Sequence, residues 1–154
     1  MKLVIQRVSE AGVTVNGELV NSIGKGYLVF FGAGEGDVKE DAERLANKMI
    51  NLRIFSDEND KINLSLENVG GELLIVSQFT LYADCRKGNR PSFTDAGDPA
   101  ESERLYELFV ERARRDIPHV ATGEFGADMQ VALVNDGPFT ICLDTDDLKR
   151  PRKR

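Results

Sequence analysis

Two short polar segments of this chain, each continuing an apolar run, carry residue types that can do chemistry. Ser77-Gln78-Phe79-Thr80 follows Glu72-Leu73-Leu74-Ile75-Val76. Asn135-Asp136-Gly137-Pro138-Phe139-Thr140 follows Met129-Gln130-Val131-Ala132-Leu133-Val134. Hydroxyl and amide side chains at a strand end present donors and acceptors to a surface cleft. Backbone N–H groups at such a bend can stabilise an oxyanion, worth roughly 3–4 kcal/mol per donor where measured by mutation. A Gly-Pro step presents bare backbone carbonyls and is one of the few places where a cis peptide is cheap. A site of this kind works largely through backbone atoms and suits cleavage of an already activated ester.

The usual catalytic side chains are sparse. His119 is the only histidine. It follows Pro118 with no Ser or Cys neighbour marking a nucleophile elbow, and reads as a helix-end residue near the dipole. Gly32-Ala33-Gly34-Glu35-Gly36-Asp37 follows a strand and opens a helix. A GxGxxG starting at Gly32 needs glycine at 37, however, and Glu35 and Asp37 would repel a pyrophosphate. The segment therefore reads as a flexible strand-to-helix loop. No GxxxxGK[ST], HExxH or DxDxDG spacing occurs, and no metal or cofactor is expected. Cys85 and Cys142 form no CxxC and cannot alone complete a four-ligand zinc site. They read as packing residues, unbridged in a reducing compartment.

The 154 residues fit one domain with room for a core. No apolar run approaches the ~20 residues that span a bilayer, and Met1-Lys2-Leu3-Val4-Ile5-Gln6-Arg7 turns polar too soon for a signal peptide. A cytoplasmic location is expected. The net charge of −6 argues against general nucleic-acid affinity, but its distribution is uneven. Lys149, Arg150, Arg152, Lys153 and Arg154 crowd the last six residues, leaving 15 basic against 26 acidic residues elsewhere. Arg86, Lys87 and Arg90 form a second small cluster. RNA would have to be met locally, at such clusters. Residues 146–154 read as a disordered basic tail, either solubilising or touching RNA.

Periodicity predicts an α/β fold in a single domain over residues 1–145, with about eight strands and two long helices. Strands are expected at 2–8, 26–32, 52–55, 62–66, 72–77, 129–134 and 139–144. A hairpin is expected within 12–20, turning at Asn16-Gly17. The first helix starts near Asp37, with Asp37 and Glu40 at capping-box spacing. Val38, Ala42, Leu45, Ala46 and Met49 share its apolar face. The second helix has Asp98 as cap, Pro99 at the first position and Glu101 at the third. Leu105, Leu108, Phe109 and Ala113 form its apolar face. Both helices are expected on one side of a largely antiparallel sheet system.

At these motifs the chain resembles the bacterial D-aminoacyl-tRNA deacylases (D-tyrosyl-tRNA deacylases), from Met1 to about Thr145. The resemblance rests on Ser77-Gln78-Phe79-Thr80-Leu81-Tyr82-Ala83, on Lys87-Gly88-Asn89-Arg90-Pro91-Ser92-Phe93, on Asn135-Asp136-Gly137-Pro138-Phe139-Thr140, and on the start Met1 to Val8. It implies a homodimeric hydrolase of three-layer β/β/α fold, without cofactor. The implied reaction cleaves the ester between a D-amino acid, or glycine, and the terminal adenosine of tRNA. It further implies that a cis Gly137–Pro138 step enters the partner subunit's pocket. There its carbonyls would contact the substrate's amino end and leave no room for an L side chain. Arg7 would brace the step, and Asn135 and Thr140 would belong to the same substrate-binding set. Ser77, Gln78 and Phe79 would line the site around the scissile carbonyl. Thr80 has been considered a nucleophile in the family. The alternative is assistance by the tRNA's own 2′-hydroxyl, which the lack of a base beside Thr80 favours. Phe125 and Met129 match pocket-wall positions, with core packing as their other reading. The alternatives for the whole chain are a non-catalytic nucleotide- or RNA-binding dimer, and an interaction protein whose motifs are only interface.

Overall fold

Side-chain alternation along two strands sets the architecture. In the computed structural model, which describes residues 1–152, β3 (Gly26–Gly32) and β6 (Glu72–Ser77) lie side by side and parallel. Tyr27, Val29, Phe31, Leu73 and Ile75 enter one core, whereas Leu28, Leu74 and Val76 enter another on the opposite face. This is the period of two that a strand imposes. Strands buried on both faces read as unbroken apolar runs, as Tyr27 to Phe31 and Leu73 to Val76 do.

The first core is closed by α1 (Lys39–Asn51) and α2 (Pro99–Arg114), through Leu45, Met49, Leu105 and Phe109. The second is closed by the far half of β1 (Lys2–Val15), with Ile23 of β2 (Glu18–Ile23). β1 serves both. Leu3 and Ile5 face the first core, and Val8, Ala11 and Val13 the second. The change of face falls at Ser9, an extra residue in β1 between the pairs Val8–Asn135 and Glu10–Val134.

The main sheet runs β2-β1-β3-β6-β7, with β7 spanning Val120–Thr122, and β8 (Gln130–Asp144) pairs along β1. The pairs made by β1 are antiparallel, as is the separate hairpin of β4 (Arg53–Ser56) and β5 (Ile62–Ser65). β3–β6 and β6–β7 are parallel, so the largely antiparallel expectation omits this half of the sheet. β7 was not anticipated, since three residues carry no readable pattern. The runs expected at 2–8 and 12–20 share one continuous β1, and Asn16 (φ 50°) and Gly17 (φ 79°) make the expected hairpin turn. The two runs at 129–144 are likewise one strand. Asp136 to Phe139 bulge out of it, because Gln6 pairs with Thr140 while Val8 pairs with Asn135.

Helix α1 is capped one residue later than expected. The Asp41 carboxylate accepts the Val38 N–H (3.0 Å). Asp37 instead accepts the Gly34 N–H (2.6 Å) and pairs with the Met1 ammonium (2.9 Å). Val38 consequently points outward, 49% exposed. At α2 the Asp98 carboxylate accepts the Glu101 N–H (3.2 Å), as its sequence position predicts. The glycine-rich loop is pinned rather than free: Glu35 N–H donates to Asp95 O (3.0 Å) and Gly97 N–H to Ala33 O (3.0 Å). Cys85 and Cys142 are exposed free thiols, not packing residues. The chain beyond Asp144, expected as a disordered tail from residue 146, continues as α3 (Thr145–Lys149). Lys149 Nζ reaches Asp41 Oδ1 at 2.8 Å. Lys153 and Arg154 lie outside the described residues. Among the described residues no helix is long and apolar enough to cross a membrane.

Two predictions test this architecture. Phe109 is fully buried, its ring centroid 5.0 Å from that of Phe31. Phe109→Ala should cost about 3–5 kcal/mol in denaturant unfolding; an unchanged midpoint would mean that α2 does not close this core. Burial pushes the Asp41 carboxyl up, but hydrogen bonds from Lys149 and the Val38 N–H outweigh it and hold it below the ordinary value. A depressed carboxylate stabilises the fold above its unfolded pKa and loses that contribution as pH falls. Lys149→Ala should therefore lower Tm at neutral pH, with the difference from wild type closing below about pH 4. A gap that persists in acid would show that Lys149 acts through packing.

Candidate active site

The sheet's polar groups begin where β3 and β6 end together. Phe31 stands in register with Ser77. Beyond it the chain bends, as the Gln78 N–H donates to Phe31 O (2.7 Å) and a single 3-10 turn forms over Phe79–Tyr82. Within that turn the Leu81 N–H donates to Gln78 O and the Ala83 N–H to Thr80 O. The N–H groups of Phe79 and Thr80 open the turn and have no partner inside it. Of the backbone donors at this bend, the Gln78 N–H is thus already engaged.

A cleft of about 490 Å³ opens at this point. Ser77, Gln78 and Phe79 form one wall. The opposite wall is the segment Phe125 to Met129, which enters β8. Pro99 and Ser102 at the start of α2, with Ala96 and Gly97 before it, complete the rim. Phe31 and Phe125 also line the cleft, and both pack on Tyr106 behind them, at ring distances of 5.7 and 5.8 Å. Tyr106 is fixed by its hydroxyl, which donates to Ile75 O (2.7 Å), and burial pushes that phenol above its ordinary pKa. Phe125 and Met129 thus stand on the pocket wall. Met129 packs over Gly123, where an added Cβ would come within 2.7 Å of its sulfur.

Among the described residues, Asp128 is the single ionisable side chain lining the cleft. A pair of titrating groups, which general acid–base chemistry needs, is not lined up there. Thr80 is exposed and does not line the cleft, and its hydroxyl accepts a hydrogen bond from the Gln78 side-chain amide. Among the described residues no base is bonded to it. His119 lies elsewhere, 3.5 Å from Glu72. The Phe125–Met129 wall beyond its two named ends, and the α2 rim, were missed by sequence reasoning. Asp98-Pro99 marks a helix start, but no local signal says that this start abuts the end of β6.

The second motif is elsewhere in the same chain. The Asp136–Phe139 bulge stands opposite Arg7, and Arg7 pairs with Tyr27. Tyr27 precedes Gly32 by five residues on β3, roughly 16 Å of strand. The Gly137–Pro138 peptide is cis, and both residues are exposed. Arg7 holds the bulge from beneath: Nε donates to Asp136 O (3.0 Å), an Nη to Ile54 O (2.6 Å), and the guanidinium lies 4.6 Å from the Phe139 ring centre. Asn135 and Thr140 close the neck. The Asn135 carbonyl accepts the Phe139 N–H (2.8 Å), and its amide donates to Gln6 and to Thr140 Oγ1 (3.1 Å). These two residues shape the bulge and do not line the cleft.

Comparison with known proteins identifies the family. The sequence profile of the family described as D-Tyr-tRNA(Tyr) deacylase matches residues 4–144. The chain is 53% identical to the D-aminoacyl-tRNA deacylase of Dictyoglomus turgidum, covering 100% of this chain and 99% of the relative. It is 57% identical to that of Thermosipho africanus, covering 94% and 97%. A solved structure described as c-Myc DNA Unwinding Element Binding Protein superposes with a TM-score of 0.89 at 41% identity, over 94% of this chain and 98% of that one. A probable eukaryotic D-amino acid tRNA deacylase shares the fold at TM-score 0.77 and 20% identity, over 92% and 97%. A profile matched over nearly the whole chain, and relatives more than half identical along their full length, place this chain in the D-Tyr-tRNA(Tyr) deacylase family.

Proposed function

We propose that this chain hydrolyses the ester linking a D-amino acid, or glycine, to the terminal adenosine of tRNA, and that it does so as a homodimer in the cytoplasm. The observation that carries the reading is the cleft at the ends of β3 and β6. It is large enough for an aminoacyl group and its ribose, walled by Ser77, Gln78 and Phe79, and nearly free of charge. Water adds to the ester carbonyl, the bond to the ribose oxygen breaks, and the proton passes to that oxygen. Free D-amino acid and tRNA leave. The Phe79 N–H, at the cleft wall, is the donor for the developing oxyanion. Among the described residues Thr80 has no base bonded to it, so the neighbouring 2′-hydroxyl of the tRNA is the group that assists attack.

Chiral selection is assigned to Gly137–Pro138 of the second subunit. The step is exposed and displaced from its own chain's cleft, and it is clamped by Arg7. A rigid backbone carbonyl holds a clash against an L side chain better than a mobile side chain can. Glycine has no side chain to reject. The two cores on opposite faces of β3 and β6 support the three-layer β/β/α arrangement. The related structure with a DNA-element-binding description favours the second reading, a nucleic-acid-binding protein without turnover.

The deciding experiment follows loss of ester from D-tyrosyl-tRNA and L-tyrosyl-tRNA in parallel. Selective loss of the D form is expected; loss of neither, with tRNA still bound, would leave the binding reading. Thr80→Ala should retain substantial turnover, and complete loss with binding intact would restore Thr80 as nucleophile. Arg7→Ala removes two charged hydrogen bonds, each worth about 1.5–3 kcal/mol. It should narrow the D/L rate ratio at least about tenfold, and an unchanged ratio would remove the Gly-Pro step as the filter.

A further inference from the structure

The turn that walls the cleft runs directly into a basic loop that the proposed chemistry does not use. Its neck is closed by reciprocal backbone bonds, Asp84 N–H to Ser92 O (2.7 Å) and Ser92 N–H to Asp84 O (2.9 Å). Asp84 also receives the Arg86 guanidinium in a two-pronged pair, at 2.9 and 2.8 Å. That pair holds its carboxyl down at about 2. The loop's acid is therefore neutralised from within. Lys87 and Arg90 are exposed and enter no ion pair among the described residues. At the far end of the loop Phe93 stands edge-on to Phe79, ring centres 5.1 Å apart. The two rings are 38% and 56% exposed, unusual for neighbouring phenylalanines, and Phe79 also lines the cleft.

These groups together have a chemical meaning. Phe79 lines the cleft, Phe93 packs on it, and the loop that joins them carries two cations outside any ion pair among the described residues. Moving back from the ester of an RNA 3′ end one meets a base, then phosphates. We infer that the loop from Asp84 to Phe93 grips the single-stranded 3′ end of the RNA, Phe93 with Phe79 stacking the terminal base and Lys87 with Arg90 holding the phosphates behind it. The inference rests on the hydrolase reading above and adds the residues that seat its substrate. An aromatic face accepts any base and a lysine any phosphate, so the grip is independent of tRNA identity. A chain of net charge −6 repels a polyanion elsewhere, which confines the encounter to such a local patch.

The test uses the full chain, the variants Phe93→Ala and Lys87→Ser/Arg90→Ser, and two substrates, D-tyrosyl-tRNA and D-tyrosyl-adenosine, which has no phosphate. The double variant should raise KM at least about tenfold more on the tRNA than on the adenosine ester. It should also flatten the dependence of log affinity on log salt by about 1.4, the contribution of two single-strand phosphates. Phe93→Ala should raise KM on both substrates, by roughly five- to hundredfold. Equal effects of the double variant on both substrates, an unaltered salt slope, or a silent Phe93→Ala would overturn the grip. Anisotropy of uncharged fluorescent tRNA, in the same salt series, reads the loop without turnover. If wild type hydrolyses nothing, the hydrolase reading fails on its own. A flattened binding slope would then still support the phosphate contacts, and an unchanged one would remove them.

Discussion

Burial of β3 and β6 on both faces is the constraint from which the rest of the molecule follows. A strand covered on both sides admits few polar groups along its length, because each needs a buried partner; the Tyr27 hydroxyl, buried in β3 without one among the described residues, is the exception here. Polar groups must wait for the strand ends. Here the two parallel strands end together, with Phe31 beside Ser77. The first place where hydroxyl, amide and unpaired N–H groups can meet is therefore this edge. The crevice outside the carboxyl ends of parallel strands is where such sheets bind ligands in general. In this chain α2 begins at the same level, so its start becomes the cleft's rim.

The second constraint is at Arg7, two residues before β1 passes from one core to the other. A strand that changes the face it buries needs an irregular pairing. β1 has it at Ser9, and β8 has a larger irregularity beside it, at Asp136 to Phe139. Four residues opposite one leave backbone carbonyls without ladder partners, and a guanidinium is suited to collect them in a fixed geometry. Arg7 takes one carbonyl from the bulge and one from β4. The proposed need for a rigid outward step is thus met by one side chain.

Much of this was legible because the signals were local. Asn16-Gly17 and Asp98-Pro99 each state their own geometry. The alternating and unbroken apolar runs revealed most strands, since period and burial are read from neighbours in sequence. What was missed depended on distant partners. Asp37 looks like a cap, but the Met1 ammonium and the Gly34 N–H claim it, and the cap moves to Asp41. The 32–36 loop looks flexible because glycine permits it, yet contacts with residues 95 and 97 fix it. β7 is too short for any pattern. At the cleft, Ser77, Gln78 and Phe79 announce themselves by following a strand. That Phe125 and Met129 face them, while Asn135 and Thr140 do not, is a matter of sheet order that no spacing carries.

The geometry of the two motifs also bears on why a lone chain is an insufficient unit for the proposed task. A cleft walled by small polar groups, with one carboxylate and aromatic rings in its lining, can hold many aminoacyl groups and rank few of them. Breadth is useful where the side chain varies and only chirality must be read. Reading chirality requires a further rigid contact at the α-carbon, from a direction the cleft walls leave open. Within one chain the candidate for that contact is held about 16 Å of strand away, fastened by Arg7 and by the Asn135 neck. A bulge fastened in this way does not swing into its own cleft. Its residues Asp136 to Pro138 are exposed. On the proposed reading the fold separates the two halves of the site so that association completes it.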